Sequence, residues 1–150
     1  FYDALGRNDI DYLVARAIQF FVPGTPQVYY VGLLAGENDL ELVARTGVGR
    51  DINRHYYSPE EIQNALRRPV VRQLMQLMRL RNSLPAFAGS FSIGDSPSSE
   101  LVLRWDSDGS YAELRVDLSG PCATIDYSKS GAPGRFEIGQ AGVTEEAGGA

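Results

Sequence analysis

The chain has 150 residues, 43% of them hydrophobic and 22% charged, a composition that fits one ordinary globular domain and excludes disordered or collagen-like chains. Fourteen Lys and Arg against 19 Asp and Glu leave a net charge of −5, without the concentrated positive charge a phosphate backbone requires, so no nucleic-acid partner is expected. The one cysteine, Cys122, cannot form an intramolecular disulfide and favours a cytoplasmic location, and no window approaches the ~18 consecutive apolar residues of a membrane helix, so no membrane partner is expected.

The chain opens on Phe1-Tyr2-Asp3-Ala4-Leu5-Gly6 with neither an initiator Met nor a signal segment, which suggests a fragment. Ile10, Leu13, Val14, Ala17, Ile18 and Phe21 then follow helical spacing, with Asn8 or Asp9 as cap and Pro23-Gly24 as stop, so residues 9–21 are expected to be a core-facing helix. Gln27-Val28-Tyr29-Tyr30-Val31 has the β-branched and aromatic composition of a buried strand, and both tyrosines read as core packing. Helix, turn and strand make an α/β unit.

Residues 32–57 are polar and glycine-rich, too long for a plain connection in a compact domain unless functional. A weak helical pattern over 39–45 gives this segment one or two turns. Ser58-Pro59-Glu60-Glu61 reads as a capping box that starts a short helix, and a second helix over 69–82 opens at Pro69 with Val70, Val71, Leu74, Leu77 and Met78 on one face. Past Pro85 short alternating segments at 90–93, 101–105, 111–116, 123–125 and 135–138, with Asp108-Gly109 as a hairpin turn, predict a small antiparallel β domain. The end, Glu145-Glu146-Ala147-Gly148-Gly149-Ala150, lacks an apolar anchor and reads as a frayed tail.

If the strand at 27–31 belongs to a parallel barrel, the 32–57 loop lies on the face where such barrels build their sites. Within it, Gly49-Arg50-Asp51-Ile52-Asn53-Arg54-His55-Tyr56-Tyr57 gathers two arginines, an aspartate, an asparagine, the sole histidine and two tyrosines. Guanidinium donors and carboxylate acceptors can grip sugar hydroxyls, and tyrosine rings can stack on a sugar's apolar face. An arginine and aspartate this close can equally be an internal ion pair holding a long loop. His55 reads as structural, since no ligand cluster accompanies it, and no metal is assigned. Asp39 and Glu41 could pair for glycoside chemistry, but two apart on a helical turn they face different ways. Trp105 could instead be the aromatic platform of a carbohydrate-binding module, although one tryptophan in a small β domain is usually core.

The runs Ala17-Ile18-Gln19-Phe20-Phe21-Val22-Pro23-Gly24-Thr25-Pro26-Gln27-Val28-Tyr29-Tyr30-Val31-Gly32, Leu34-Ala35-Gly36-Glu37-Asn38-Asp39 and Gly49 through Tyr57 resemble the sucrose phosphorylases of the α-amylase superfamily, glycoside hydrolase family 13. The resemblance implies a fold in two parts. Residues 1–85 would be the C-terminal segment of a (β/α)₈ catalytic barrel, from its seventh helix through its eighth strand and helix, and 86–150 an antiparallel β C-terminal domain.

The resemblance also implies an activity for the full-length parent: a retaining double displacement in which a carboxylate takes the glucosyl group, fructose leaves, and inorganic phosphate yields α-glucose 1-phosphate, with no cofactor. The catalytic carboxylates would lie on earlier barrel strands, so no catalytic residue is expected in this chain and its partner is the missing N-terminal part of the same barrel. The counterpart of Arg50 lies in the glucosyl subsite, with Asp51 and Arg54 as adjacent supports. The wording of this run favours sucrose or sucrose 6′-phosphate over glucosylglycerate, with another hydrolase or transglucosidase of the superfamily as a further alternative. Acceptor and oligomeric state stay open.

Overall fold

The computed structural model describes residues 1–129, 131–139 and 142–147. Five α-helices, α1 (Asp9–Phe21), α2 (Tyr30–Leu33), α3 (Leu40–Thr46), α4 (Pro59–Arg67) and α5 (Pro69–Ser83), precede six strands, β1 (Ser90–Ile93), β2 (Glu100–Ser107), β3 (Ser110–Asp117), β4 (Cys122–Lys129), β5 (Ala132–Gly139) and β6 (Gly142–Ala147). The strands form one antiparallel meander in chain order.

Where local chemistry dictates an element, it forms as expected. The Asn8 side chain accepts from the amides of Ile10 and Asp11 at the start of α1, and Pro23 follows its end. Ser58 and Glu61 complete the capping box of α4, and α5 opens at Pro69. Between β2 and β3, Gly109 takes a φ of 78°, a backbone conformation that side chains with a β-carbon disfavour.

Strand alternation sends one row of side chains inward. Leu103 pairs with Leu114, Leu114 with Ile125, and Ile125 with Phe136, so four apolar residues stand side by side across four strands. All four are buried, and they share one core with Leu13, Ala17 and Phe20 of α1 and Leu74 and Leu77 of α5. The core therefore runs without a break across Pro85. On the opposite face the row Arg104, Glu113, Asp126 and Arg135 sets two carboxylates between two guanidiniums, and Arg104 and Arg135 each form an ion pair with the carboxylate beside it.

Two side chains from distant segments close the C-terminal end of α1. Trp105 Nε1 donates to the Phe21 carbonyl (2.7 Å) and Arg81 Nε donates to the Phe20 carbonyl (2.9 Å). Carbonyls that a helix end leaves without partners are thus used to dock it onto β2 and α5. Trp105 is a core residue, packed against Phe87 and Phe91, and its ring is not an open platform for sugar.

Three local expectations are corrected. The run 27–31 is not a strand: it is extended through Tyr29, turns into α2 at Tyr30, and has no ladder partner among the described residues. A strand exists only against a neighbour, and the six strands pair only with one another in the meander. With no sheet around them, Tyr29 and Tyr30 are exposed rather than core. Finally, Glu145 and Glu146 do not fray but pair with β5, because a ladder is built by backbone groups and needs no apolar anchor, whereas 148–150 lie outside the described residues.

Candidate functional site

Residues 30–61 wrap from α2 to the start of α4, and polar contacts rather than a core fix their course. Arg68 Nη1 donates to the Leu34 (3.2 Å) and Ala35 (2.9 Å) carbonyls and Nη2 to the Tyr2 hydroxyl (3.2 Å). Arg7 bridges Asp3 (2.7 Å) and Glu37 (2.8 Å). Nothing in the sequence pattern singles out Arg68, because its acceptors, two backbone carbonyls and a tyrosine hydroxyl, are all more than 30 residues away.

The candidate residues Arg50 and Asp51 lie on a 3-10 turn, Gly49–Asn53, and Arg54 follows it. Asp51 forms a loose ion pair with Arg54 (3.6 Å), and its carbonyl accepts from the Arg54 amide. The internal pair that the sequence allowed for is therefore made by Arg54. Arg50 is exposed and has no ion pair or side-chain hydrogen bond among the described residues. Its planar guanidinium presents an open fork of donors suited to hydroxyl or carboxylate oxygens.

Next to this turn stands a cluster that the sequence did not single out. His55 places Nδ1 2.7 Å from Asp39 Oδ2 and Nε2 3.1 Å from Glu61 Oε1. With a carboxylate against each ring nitrogen, imidazolium is the form that satisfies both. The Asp39 hydrogen bond, opposed by burial and reinforced by Glu61, accordingly raises the His55 pKa. Hydrogen bonds from His55 and the Leu42 amide lower that of Asp39, and the Ser58 contacts followed by His55 lower that of Glu61.

Around His55, Tyr57 packs edge-on at 4.6 Å and Tyr30 donates its hydroxyl to the His55 carbonyl (3.0 Å). A cavity of about 430 Å³ opens on one side, lined by Glu37, Asp39, Glu41, His55 and Tyr57. A second, of about 450 Å³, is apolar and lined by Tyr30, Tyr56, Tyr57, Ile62, Leu66 and Met75. Asp39 is engaged in capping α3 and holding His55, and Glu41 is exposed beyond it, so the two do not form a glycosidase pair. Among the described residues no group of three His, Cys, Asp or Glu is placed to hold a metal, and no helix is long and apolar enough to cross a membrane.

No protein-family model matches the chain. Among curated proteins, a sucrose phosphorylase of Agrobacterium vitis is 56% identical over 138 residues, covering 88% of this chain and 28% of that protein. A glucosylglycerol phosphorylase of Marinobacter adhaerens is 50% identical over 85% of this chain and 27% of its own length. The crystal structure of the sucrose 6F-phosphate phosphorylase from Thermoanaerobacter thermosaccharolyticum superposes with a TM-score of 0.82 at 45% identity, covering 97% of this chain and 28% of that one. The chain thus spans a little over a quarter of the length of the relatives it matches.

Proposed function

From this homology to the sucrose phosphorylases, which extends through both the helical and the sheet portions of the chain, we propose that the chain is part of a glucosyl-transferring phosphorylase. The enzyme cleaves sucrose with inorganic phosphate to α-D-glucose 1-phosphate and fructose by retaining double displacement. The catalytic carboxylates are supplied by other parts of the enzyme. This segment contributes the sugar-gripping edge, with Arg50 as the substrate contact and Asp51 and Arg54 as its supports.

The observation that carries the site assignment is the difference between two neighbouring arginines. Arg54 is engaged by Asp51, and Arg50 has its donors open. Sugar hydroxyls are good acceptors for such a fork, and charge-assisted hydrogen bonds contribute about 1.5–3 kcal/mol each. Location in the cytoplasm is part of the same proposal and rests on the single, exposed thiol of Cys122.

A second reading, cleavage of sucrose 6′-phosphate, is favoured by the structural match and by a 50% identical sucrose 6(F)-phosphate phosphorylase. Incubating the full-length enzyme with phosphate and either sugar, and quantifying α-glucose 1-phosphate, separates the two. Release from sucrose supports the first reading and release only from sucrose 6′-phosphate the second. Free glucose without sugar phosphate defeats both.

A further inference from the structure

Two helices in the loop region are each closed at the N-terminus by a carboxylate, and one imidazole lies between the two. Asp39 caps α3 by accepting from the Leu42 amide with Oδ1 (2.7 Å), which leaves Oδ2 to His55. Glu61 accepts the Ser58 amide with Oε2 (2.7 Å), which leaves Oε1 to the other side of the same ring. Asp39 also donates its own backbone N–H to the Ile52 carbonyl (2.8 Å). The Gly49–Asn53 turn is therefore held from within at Ile52 and from just beyond its end at His55.

We infer that His55 is a positioning residue that locks the turn carrying Arg50, by tying the carboxylate that caps α3 to the carboxylate that closes the capping box of α4. Only the consequence for sugar binding rests on the reading of Arg50 given above. The lock itself stands on the hydrogen bonds.

The groups around the ring favour its cation. Asp39 faces it from α3 and Glu61 from α4, while Glu37 and Glu41 line the same cavity. The Tyr57 ring edge and the Tyr30 hydroxyl are neutral neighbours, and the cations around them act on those partners, Arg45 on Asp39, Arg54 on Tyr30 and Arg68 on Tyr57. Because the His55 pKa is raised above 6.5, its share of the lock is complete below 6.5 and is lost as pH rises through the raised value. Asp39 and Glu61 are lowered from 3.8 and 4.5, so their share is present above those values and is lost as pH falls through the lowered ones. The turn is held best between the two windows.

In the full-length enzyme the His55 imidazole resonances of a proton NMR titration are identified by their absence in His55→Ala. Asp39→Asn and Glu61→Gln retain an oxygen for each cap, since Asn is a good N-cap and Gln serves in a capping box, and turn an amide NH2 toward the ring, removing both the charge and the acceptor that face it. The expected result is a midpoint above that of free histidine in the chain and a lower one in each variant. In His55→Ala, amide exchange at residues 49–55 accelerates by about tenfold or more while residues 112–116 in the sheet are unchanged. A midpoint unmoved in either isosteric variant, or unchanged exchange at 49–55, overturns the lock. Should His55→Ala not fold, the two isosteric variants decide alone. In the full-length enzyme, His55→Ala raises the KM for sucrose. Arg50→Ala does the same without altering exchange at 49–55. If Arg50→Ala leaves sugar binding intact, the Arg50 reading fails while titration and exchange still decide the lock.

Discussion

The meander β1–β6 and the wrap over residues 30–61 solve the same problem with different means. The sheet buries apolar rows such as Leu103, Leu114, Ile125 and Phe136 in register, and sets its charges on the opposite face. The wrap buries little, with Val31, Leu34, Ala35 and Leu42 as its core-facing residues, and relies on caps, a bridged imidazole and guanidinium-to-carbonyl contacts. A segment held by polar contacts can present an open guanidinium at its surface, and its rigidity then depends on protonation. The described arginines of the sheet are all ion-paired, and its rigidity rests on the ladder and the apolar row.

The largest effect should come from the sheet's apolar row. Leu114 is fully buried, and Leu114→Ala removes its contacts and leaves a cavity, an expected loss of about 3 kcal/mol read from the urea midpoint. Gly89 sharpens the same contrast, because a β-carbon there would collide with the Asp106 backbone oxygen. Backbone cannot yield as a side chain would, so Gly89→Ala should lower the thermal midpoint by several degrees.

A smaller effect tests the join between the two regions. Trp105→Phe keeps most of the ring burial but leaves the Phe21 carbonyl without its donor, at a cost of about 1–2 kcal/mol, with amide exchange rising at the C-terminal end of α1. The smallest belongs to the wrap: Ser58→Ala removes one cap, costs about 1 kcal/mol, and should loosen α4 without changing exchange in β3. Equal losses of protection in both regions would erase the distinction.

How much of this was legible in the sequence follows the same division. The first helix, the Ser58 capping box, α5 and five of the strands are written locally, in apolar spacing and in capping residues that act within four positions of themselves. The run 27–31 misled because strand composition says nothing about whether a neighbour is present to pair with. The sixth strand was hidden because Gly142-Val143-Thr144-Glu145-Glu146-Ala147 carries no apolar alternation. In the site, the Arg50–Arg54 run was visible as a cluster of chemistry. Which of its arginines is engaged by Asp51 was not; His55 was read as structural, but its partners, 16 residues before it and six after, were not legible. The available signal was a cap residue at Asp39, a capping box at Ser58 and one histidine between them.

Whether this segment brings a sugar-gripping Arg50 to a glucosyl phosphorylase is decided by kcat/KM for sucrose phosphorolysis in the full-length enzyme, comparing wild type, Arg50→Ala and Arg54→Ala. Arg50→Ala should lower it about 100-fold, the loss of one or two charge-assisted hydrogen bonds, and Arg54→Ala only a few-fold, since the partner of Arg54 is Asp51. Wild-type kcat/KM in Arg50→Ala would contradict the Arg50 reading.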